Sequence, residues 1–389
     1  MNPPQVSSPP SAGRANGLDT LRAAAITLVF MYHYMVFVSG VPTFGPASVV
    51  GWVGVDLFFV LSGYLIADQI FSGIARGKQF SPKAFYARRA LRTLPAFWVV
   101  LSFYFIFPTI MGGATPPPLW RFLTFTQNWG LHDGTAFSHA WSLCIEEQFY
   151  FVLPLTVLLG VWDIRNRTRG WALLIILLAI GLATRTVRWL TDGPSAHIYY
   201  STLGRFDEFL PGVAVAFLKN FHGALWDRIL RRGQSALAIG AMMTAAMLCA
   251  FYHRHFTANE TYMFFLAALG YSLLAMAFAV LVVAALCPNS WLYRIRIVGA
   301  YHIALWSYSI YLSHKAIAYI VKGQIVRWDL PPVVMLVLIT LACVASGALL
   351  YRFVEVPFMA IRSRRFPTNF ADGSARAQQA APTFPQRAP

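Results

Sequence analysis

Apolar runs of near-spanning length recur along the chain, separated by short stretches that carry Pro, Gly or Arg. Ten stand out: residues 20–38, 51–71, 88–110, 140–161, 170–187, 206–219, 234–252, 261–287, 298–321 and 332–354. A bilayer core about 30 Å thick needs about 20 residues of helix. The pattern therefore predicts an all-α, polytopic integral membrane helical bundle of about ten transmembrane helices. The sixth run is short and holds Pro211-Gly212, so a broken or re-entrant helix is expected there. Leu119–Leu131 is amphipathic and too short to span, which suits the membrane interface. Alternating strands of an outer-membrane barrel are missing from the pattern. No internal repeat is visible, which weighs against an inverted-repeat transporter.

Composition agrees. The 389 residues are 57% hydrophobic and 12% charged, where soluble domains carry about 25% charged residues. A net charge of +16 invites a nucleic-acid partner, but the positions of the cations argue otherwise. With the N-terminus in the cytoplasm and alternating helices, 23 of the 31 Lys and Arg fall on cytoplasmic segments and seven on external loops. That asymmetry is the positive-inside rule; it predicts an even helix number with both termini cytoplasmic, and no nucleic-acid partner. Cys144, Cys249, Cys287 and Cys343 lie in or at the ends of apolar runs, with neither metal-ligand spacing nor a disulfide framework. Residues 1–17 are rich in Pro, Ser and Gly, and no cleavage site follows the first run, so it reads as a retained anchor. The expected organisation is a disordered tail over 1–17, a membrane domain over 18–362 and a disordered cytoplasmic tail over 363–389.

Few ionisable groups lie inside the runs. Arg22 and His33 are eleven residues apart, about three helical turns, so they share one face about 16 Å apart along the axis. From the helix alone, His33 fits either a hydrogen bond to a neighbouring helix or a functional group at depth. Arg89 and Arg92 are three apart and point the same way. Two guanidinium forks on one face suit phosphates, as snorkelling suits any single arginine at a rim. Glu355 lies at the same cytoplasmic level. Asp56, Glu146, Glu147 and His314 fall in the middle or outer half, and Asp207 and Glu208 near the outer end. Glu146 is favoured over Glu147 as the functional carboxylate. Ser62-Gly63 reads as a small pair that lets helices approach closely. The result is two-sided: phosphate-binding groups inside, acceptor-binding groups outside, and His33 between them as a general base for group transfer.

These residues sit in blocks that resemble the membrane-bound acyltransferase-3 family of bacterial O-acyltransferases. The likeness runs over about residues 17–360: Arg22-x10-His33, GWVGVDLFFVLSGYLI (51–66), FYARRALRTLP (85–95), HAWSLCIEEQFYFVLP (139–154), RFDEFLPG (205–212), SYSIYLSH (307–314) and RFVEVPF (352–358). The resemblance implies an acyl-CoA donor, often acetyl-CoA, and no metal. It implies acceptor hydroxyls on a cell-envelope carbohydrate, its lipid-linked precursor or a glycosylated small molecule. It also implies a catalytic His33, an active site shaped by Arg89, Arg92 and Glu146, membrane lipid as surroundings and a bacterial cytoplasmic membrane as location. Arg22 is expected beside Arg89 and Arg92 on the CoA phosphates, and Asp56, Glu147, Asp207, Glu208, His314 and Glu355 in supporting or substrate-binding positions. The acceptor site is expected from the outer loops 39–50, 109–139 and 185–205, where Trp120, Trp129, His132 and Trp189 also fit ordinary interfacial aromatics. A transporter or flippase for a polar metabolite is the alternative, with the same buried charges along a path.

Overall fold

The computed structural model describes residues 16–370 apart from 113–114, 133, 161–165 and 194–195. Every expected run is helical: α1 (Asn16–Ser39), α2 (Pro46–Ala75), α3 (Pro82–Ile106), α4 (Trp141–Leu158), α5 (Arg167–Asp192), α6 (Leu210–Phe221), α7 (Gly233–Arg254), α8 (Glu260–Leu286), α9 (Ala300–Ile325) and α10 (Pro332–Arg365). Seven of these are long and apolar enough to cross a membrane. The other three are α4, α6 and α9. Helix α4 carries Glu146 and Glu147, α6 has 12 residues, and α9 carries Lys315 and Lys322. Charged side chains thus set α4 and α9 apart, and length sets α6 apart.

Local chemistry sets several helix starts. Ser81 caps α3 by accepting from the Ala84 N–H, with Pro82 in the first turn. Asn166 caps α5 through the Arg169 N–H. The sixth run is broken, as its Pro-Gly pair suggested: Thr202–Arg205 and a 3₁₀ turn at Phe206–Phe209 precede α6. Leu119–Leu131 forms only one short helix, Leu119–Leu123, before turning into loop.

Helices α2 and α8 form the centre. In their apolar windows 72% and 67% of positions are buried, against 11% in α7, which keeps an apolar outer face for lipid. Backbone contact joins α2 to α6. A Cβ on Gly63 would stand 2.2 Å from the Phe209 carbonyl, and one on Gly212 2.0 Å from that of Val60, so only glycine fits at either crossing.

π-helical turns interrupt α1 at Met35–Ser39, α8 at Leu266–Gly270 and α10 at Tyr351–Glu355. Such turns widen the helix and free carbonyls. The first directly follows His33 and Tyr34; the second frees the Ala268 carbonyl, which accepts from Arg185.

The last helix continues to Arg365, and Asn369 and Phe370 return to the bundle, where Asn369 O accepts from Ser81 N at 2.9 Å. Of the expected tails, residues 1–15 and 371–389 lie outside the described residues.

Candidate functional site

The starts of α1 and α3 and the ends of α2 and α10 meet at one end of the bundle. There they enclose a cavity of about 560 Å³ lined by Arg22, Arg88, Arg89, Arg92 and Arg362. All five arginines come from segments expected to face the cytoplasm. The R-R-x-x-R spacing puts three on adjoining faces of one helical turn, and α1 and α10 each add one. Arg89 lies 3.6 Å over the Tyr150 ring. Arg88 donates to the Phe366 carbonyl. Among the described residues none of the five is ion-paired with a carboxylate. Their cationic edges are therefore available to an anion.

Deeper in, a hydrogen-bonded chain forms one wall. Tyr150 Oη donates to Ser62 Oγ at 2.8 Å, and Ser62 Oγ donates to Glu146 Oε1 at 3.0 Å. Glu146 thus shares the cavity with the arginines. Ser62, expected only to permit close packing, holds this carboxylate.

Ser142 and Tyr311 also line the cavity. The His139 carbonyl can only accept, so Tyr311 Oη donates to it at 2.5 Å, and Ser142 Oγ donates to Tyr311 at 2.6 Å. Behind this wall lie three histidines. The Tyr311 ring centroid is 5.6 Å from that of His139 and 5.9 Å from that of His314. His33 stacks on His314 at 4.9 Å and meets His139 edge-on at 6.2 Å.

Hydrogen bonds assign the tautomers. His314 Nδ1 lies 3.0 Å from the Ile310 carbonyl and 2.9 Å from that of Tyr311, so it carries a proton. In the neutral ring Nε2 is then a lone pair. His33 Nδ1 is 2.6 Å from that Nε2 and must be the donor. This leaves the lone pair of His33 on its own Nε2. His139 and His314 are buried at 3% and 1% exposure, whereas His33 is half-buried. Of the three, His33 is the one that has a fixed tautomer and is not fully buried.

His139 joins this group without a role expected from the sequence. It sits on the 3₁₀ turn Ser138–Ala140, which follows Phe137 in left-handed backbone (φ 57°). That conformation is costly for an aromatic residue. It is held by ring contacts to Tyr104 at 4.7 Å and to His139 at 5.1 Å. Lys315, beside His314, donates to Ser138 Oγ at 2.8 Å and brings a cation to the same cluster.

The remaining expected residues part from this core. Glu147 stands near Arg89 and Thr93. Glu355 is buried and accepts from Ser309 Oγ at 2.5 Å. Asp56, Asp207 and Glu208, expected in supporting or substrate-binding positions, are each fully buried in an ion pair. Arg205 bonds Asp56 at 3.1 Å and also pairs with Glu208. Arg185 grips Asp207 with both Nη atoms, at 2.6 and 2.9 Å. Arg205 and Asp56 are 149 residues apart in sequence, which hides that pairing, whereas Arg205 and Glu208 are three apart on one turn. Glu146 bonds to Ser62, and the contact orienting His33 comes from His314.

A second cavity, of about 600 Å³, opens at the opposite end of α1. Its lining includes Tyr32, Trp52, Tyr199, Phe251, Arg254 and Tyr271. The outer tryptophans noted in the sequence, Trp120 and Trp129, are instead 58% and 61% exposed.

Comparison with known proteins gives the lineage. An acyltransferase-domain family model matches residues 15–352. The YrhL protein of Bacillus subtilis is 28% identical over 377 residues, covering 90% of this chain and 55% of its own. The peptidoglycan O-acetyltransferase OatA of Listeria monocytogenes is 28% identical over 369 residues, 87% of this chain and 55% of its own. The O-acetyltransferase OatA of Staphylococcus aureus is 27% identical over 366 residues, 90% and 57%. The chain therefore spans about half the length of the curated relatives it matches. No solved structure matches it. A family match over nearly all of the membrane bundle makes this chain a member of the acyltransferase-3 family.

Proposed function

We propose that this protein is an O-acetyltransferase of the bacterial cytoplasmic membrane. It moves an acyl group from acyl-CoA, held at the arginine end, to a hydroxyl of a cell-envelope glycan reached from the other end. One observation carries the reading. Tyr311 lines the arginine-rich cavity and also packs against His314, the hydrogen-bond partner of His33. The names of the relatives support the acetyl group and the glycan.

Each residue has a task that follows from its position. Arg22, Arg88, Arg89, Arg92 and Arg362 would bind the phosphates of CoA. The rest of the cavity would take the pantetheine arm, with the thioester toward Ser142 and Tyr311. His33 Nε2, held by the His314 contact, would take the proton of the acceptor hydroxyl as its oxygen attacks the thioester carbonyl. The new C–O bond forms, the C–S bond breaks, and the thiolate recovers a proton. In a two-step variant His33 Nε2 itself attacks, and the acyl-imidazole passes the group on.

The test is thioester cleavage by the purified chain in nanodiscs, followed as free CoA thiol, with and without a glycan acceptor. Cleavage that depends on His33 supports the reading. Solute movement without thioester cleavage would favour the transport alternative. An acyl-His33 adduct trapped without acceptor supports the two-step route. An absolute need for both substrates before CoA release supports the direct one.

A further inference from the structure

The cavity at the far end of α1 is not used by the donor, and its lining has a specific chemistry. The Trp52 ring meets Phe251 at 4.9 Å, Tyr271 at 5.8 Å and Tyr199 at 6.1 Å, all edge-on. Each such contact sets the edge of one ring against the face of the other, and all four rings line the cavity. Aromatic belts in membranes face lipid headgroups, yet Phe251 and Tyr271 are buried, at 4% and 5% exposure. Their position inside the bundle needs another reason.

The cluster is also braced. The Arg205 guanidinium lies 4.1 Å from the Tyr271 ring and 4.9 Å from that of Tyr199, and its pairing with Asp56 and Glu208 fixes it there. Thus the outer ion pair, which meets no substrate itself, immobilises a wall of this cavity. At the rim Arg254 is half-buried and, among the described residues, is in no ion pair. On the inner side Tyr32 precedes His33 in the chain, with ring centroids 5.5 Å apart.

We propose that this cavity is the acceptor subsite, and that it holds a pyranose ring bearing or adjoining an anionic group. The C–H faces of the sugar pack on the aromatic faces, tyrosine hydroxyls meet its hydroxyls, and Arg254 meets the anion. The inference rests on the acyl-transfer reading, because only that reading brings a glycan to this end. The anion is a carboxylate on the glycan or the pyrophosphate of a lipid-linked precursor.

Calorimetry on the full chain in nanodiscs tests it without turnover. Four probes are compared: a neutral chito-oligosaccharide, an oligosaccharide of the same length bearing a carboxylate, an undecaprenyl-pyrophosphate-linked sugar, and acetyl-CoA as donor control. The carboxylated or pyrophosphate-linked probe is expected to bind more tightly than the neutral one, and whichever does identifies the anion. R254Q should weaken that probe about tenfold, as loss of a charge-assisted bond implies, with little change for the neutral one. W52L should weaken every glycan probe, and W52F should restore most of it. Donor affinity should hold in all three variants, which also reports an intact fold. Glycan binding that ignores both substitutions, or that fails while acetyl-CoA binds and is cleaved, overturns the acceptor site and leaves the acyltransferase reading standing. Glycan binding of this pattern without thioester cleavage has the reverse consequence.

Discussion

At one end of the bundle Arg185 uses all five of its N–H donors on the Ala268 and Gly204 carbonyls, the two Asp207 oxygens and Ser272 Oγ. At the other, Arg89 lies over the face of Tyr150, and its Nε has no hydrogen-bond partner among the described residues. Both side chains are arginines near a helix end, and both stand near carboxylates. One is saturated and has no capacity left for a ligand; the other holds charge and donors in reserve at the wall of a cavity. What separates structural from ligand-binding arginines here is whether a carboxylate already neutralises the fork. Burial tracks the same distinction: Arg185 and Arg205 are fully buried, whereas Arg22, Arg88, Arg89 and Arg92 are only half-buried.

The largest expected effect belongs to the residue between the two ends. His33→Ala should lower transfer to a glycan acceptor about 10²–10⁴-fold, the range for losing a general base. Equal protein levels are checked by immunoblot, and the rate by labelled acetyl incorporation. A loss below tenfold would remove His33 from the chemistry. The comparison of arginines predicts opposite losses next. Arg205→Met leaves Asp56 and Glu208 buried without their cation, so it should destabilise the bundle by about 3–5 kcal/mol. Arg89→Met leaves no such orphan pair and should keep thermal stability while raising donor KM about tenfold. Equal stability losses in the two variants, read by thermal unfolding in detergent, would break the distinction.

His314 comes next. Its Nε2 accepts from His33 Nδ1, so it acts as a positioning residue. His314→Ala should reduce kcat about tenfold to a hundredfold, because misorientation of a base is costly, with donor KM little changed. His314→Gln supplies a carbonyl oxygen that can accept the same proton, and should recover part of the loss. A purely packing role predicts no advantage of Gln over Ala.

The helices were legible because bilayer-length apolar runs leave no other solution, and all ten runs became helices. The arginine cavity was partly legible, since R-R-x-x-R concentrates charge on one helix and Arg22 falls at the same depth. Arg362 was not, because its neighbour in space is some 270 residues away in sequence. The partners of the buried carboxylates were not legible, for a general reason. A carboxylate inside an apolar run signals a partner, but sequence does not say whether that partner is a ligand or another side chain. Asp56, Glu208 and Asp207 found Arg205 and Arg185, whose cations had been counted only as loop charge. His139 carried a signal that went unused: it opens the same block as Glu146, seven residues ahead of it, so it falls about two turns toward the depth of His33.

Ser62 offers the smallest and sharpest test of how the two ends divide the work. Its hydroxyl accepts from Tyr150 and donates to Glu146, both on the arginine side of the Tyr311 wall. Ser62→Ala removes one link and leaves both neighbours part-satisfied, an effect of about 1 kcal/mol, or about fivefold. If Glu146 serves the donor cavity, that change should fall on donor KM and spare acceptor KM. Double-mutant cycles make the division quantitative. Ser62→Ala with Tyr150→Phe should be non-additive, since the two share one hydrogen bond. Ser62→Ala with His314→Gln should be additive within about 0.5 kcal/mol, since no hydrogen bond joins them. Strong coupling in the second cycle would mean that Glu146 and His33 act as one unit across Tyr311, and the two-ended division of the site would fail.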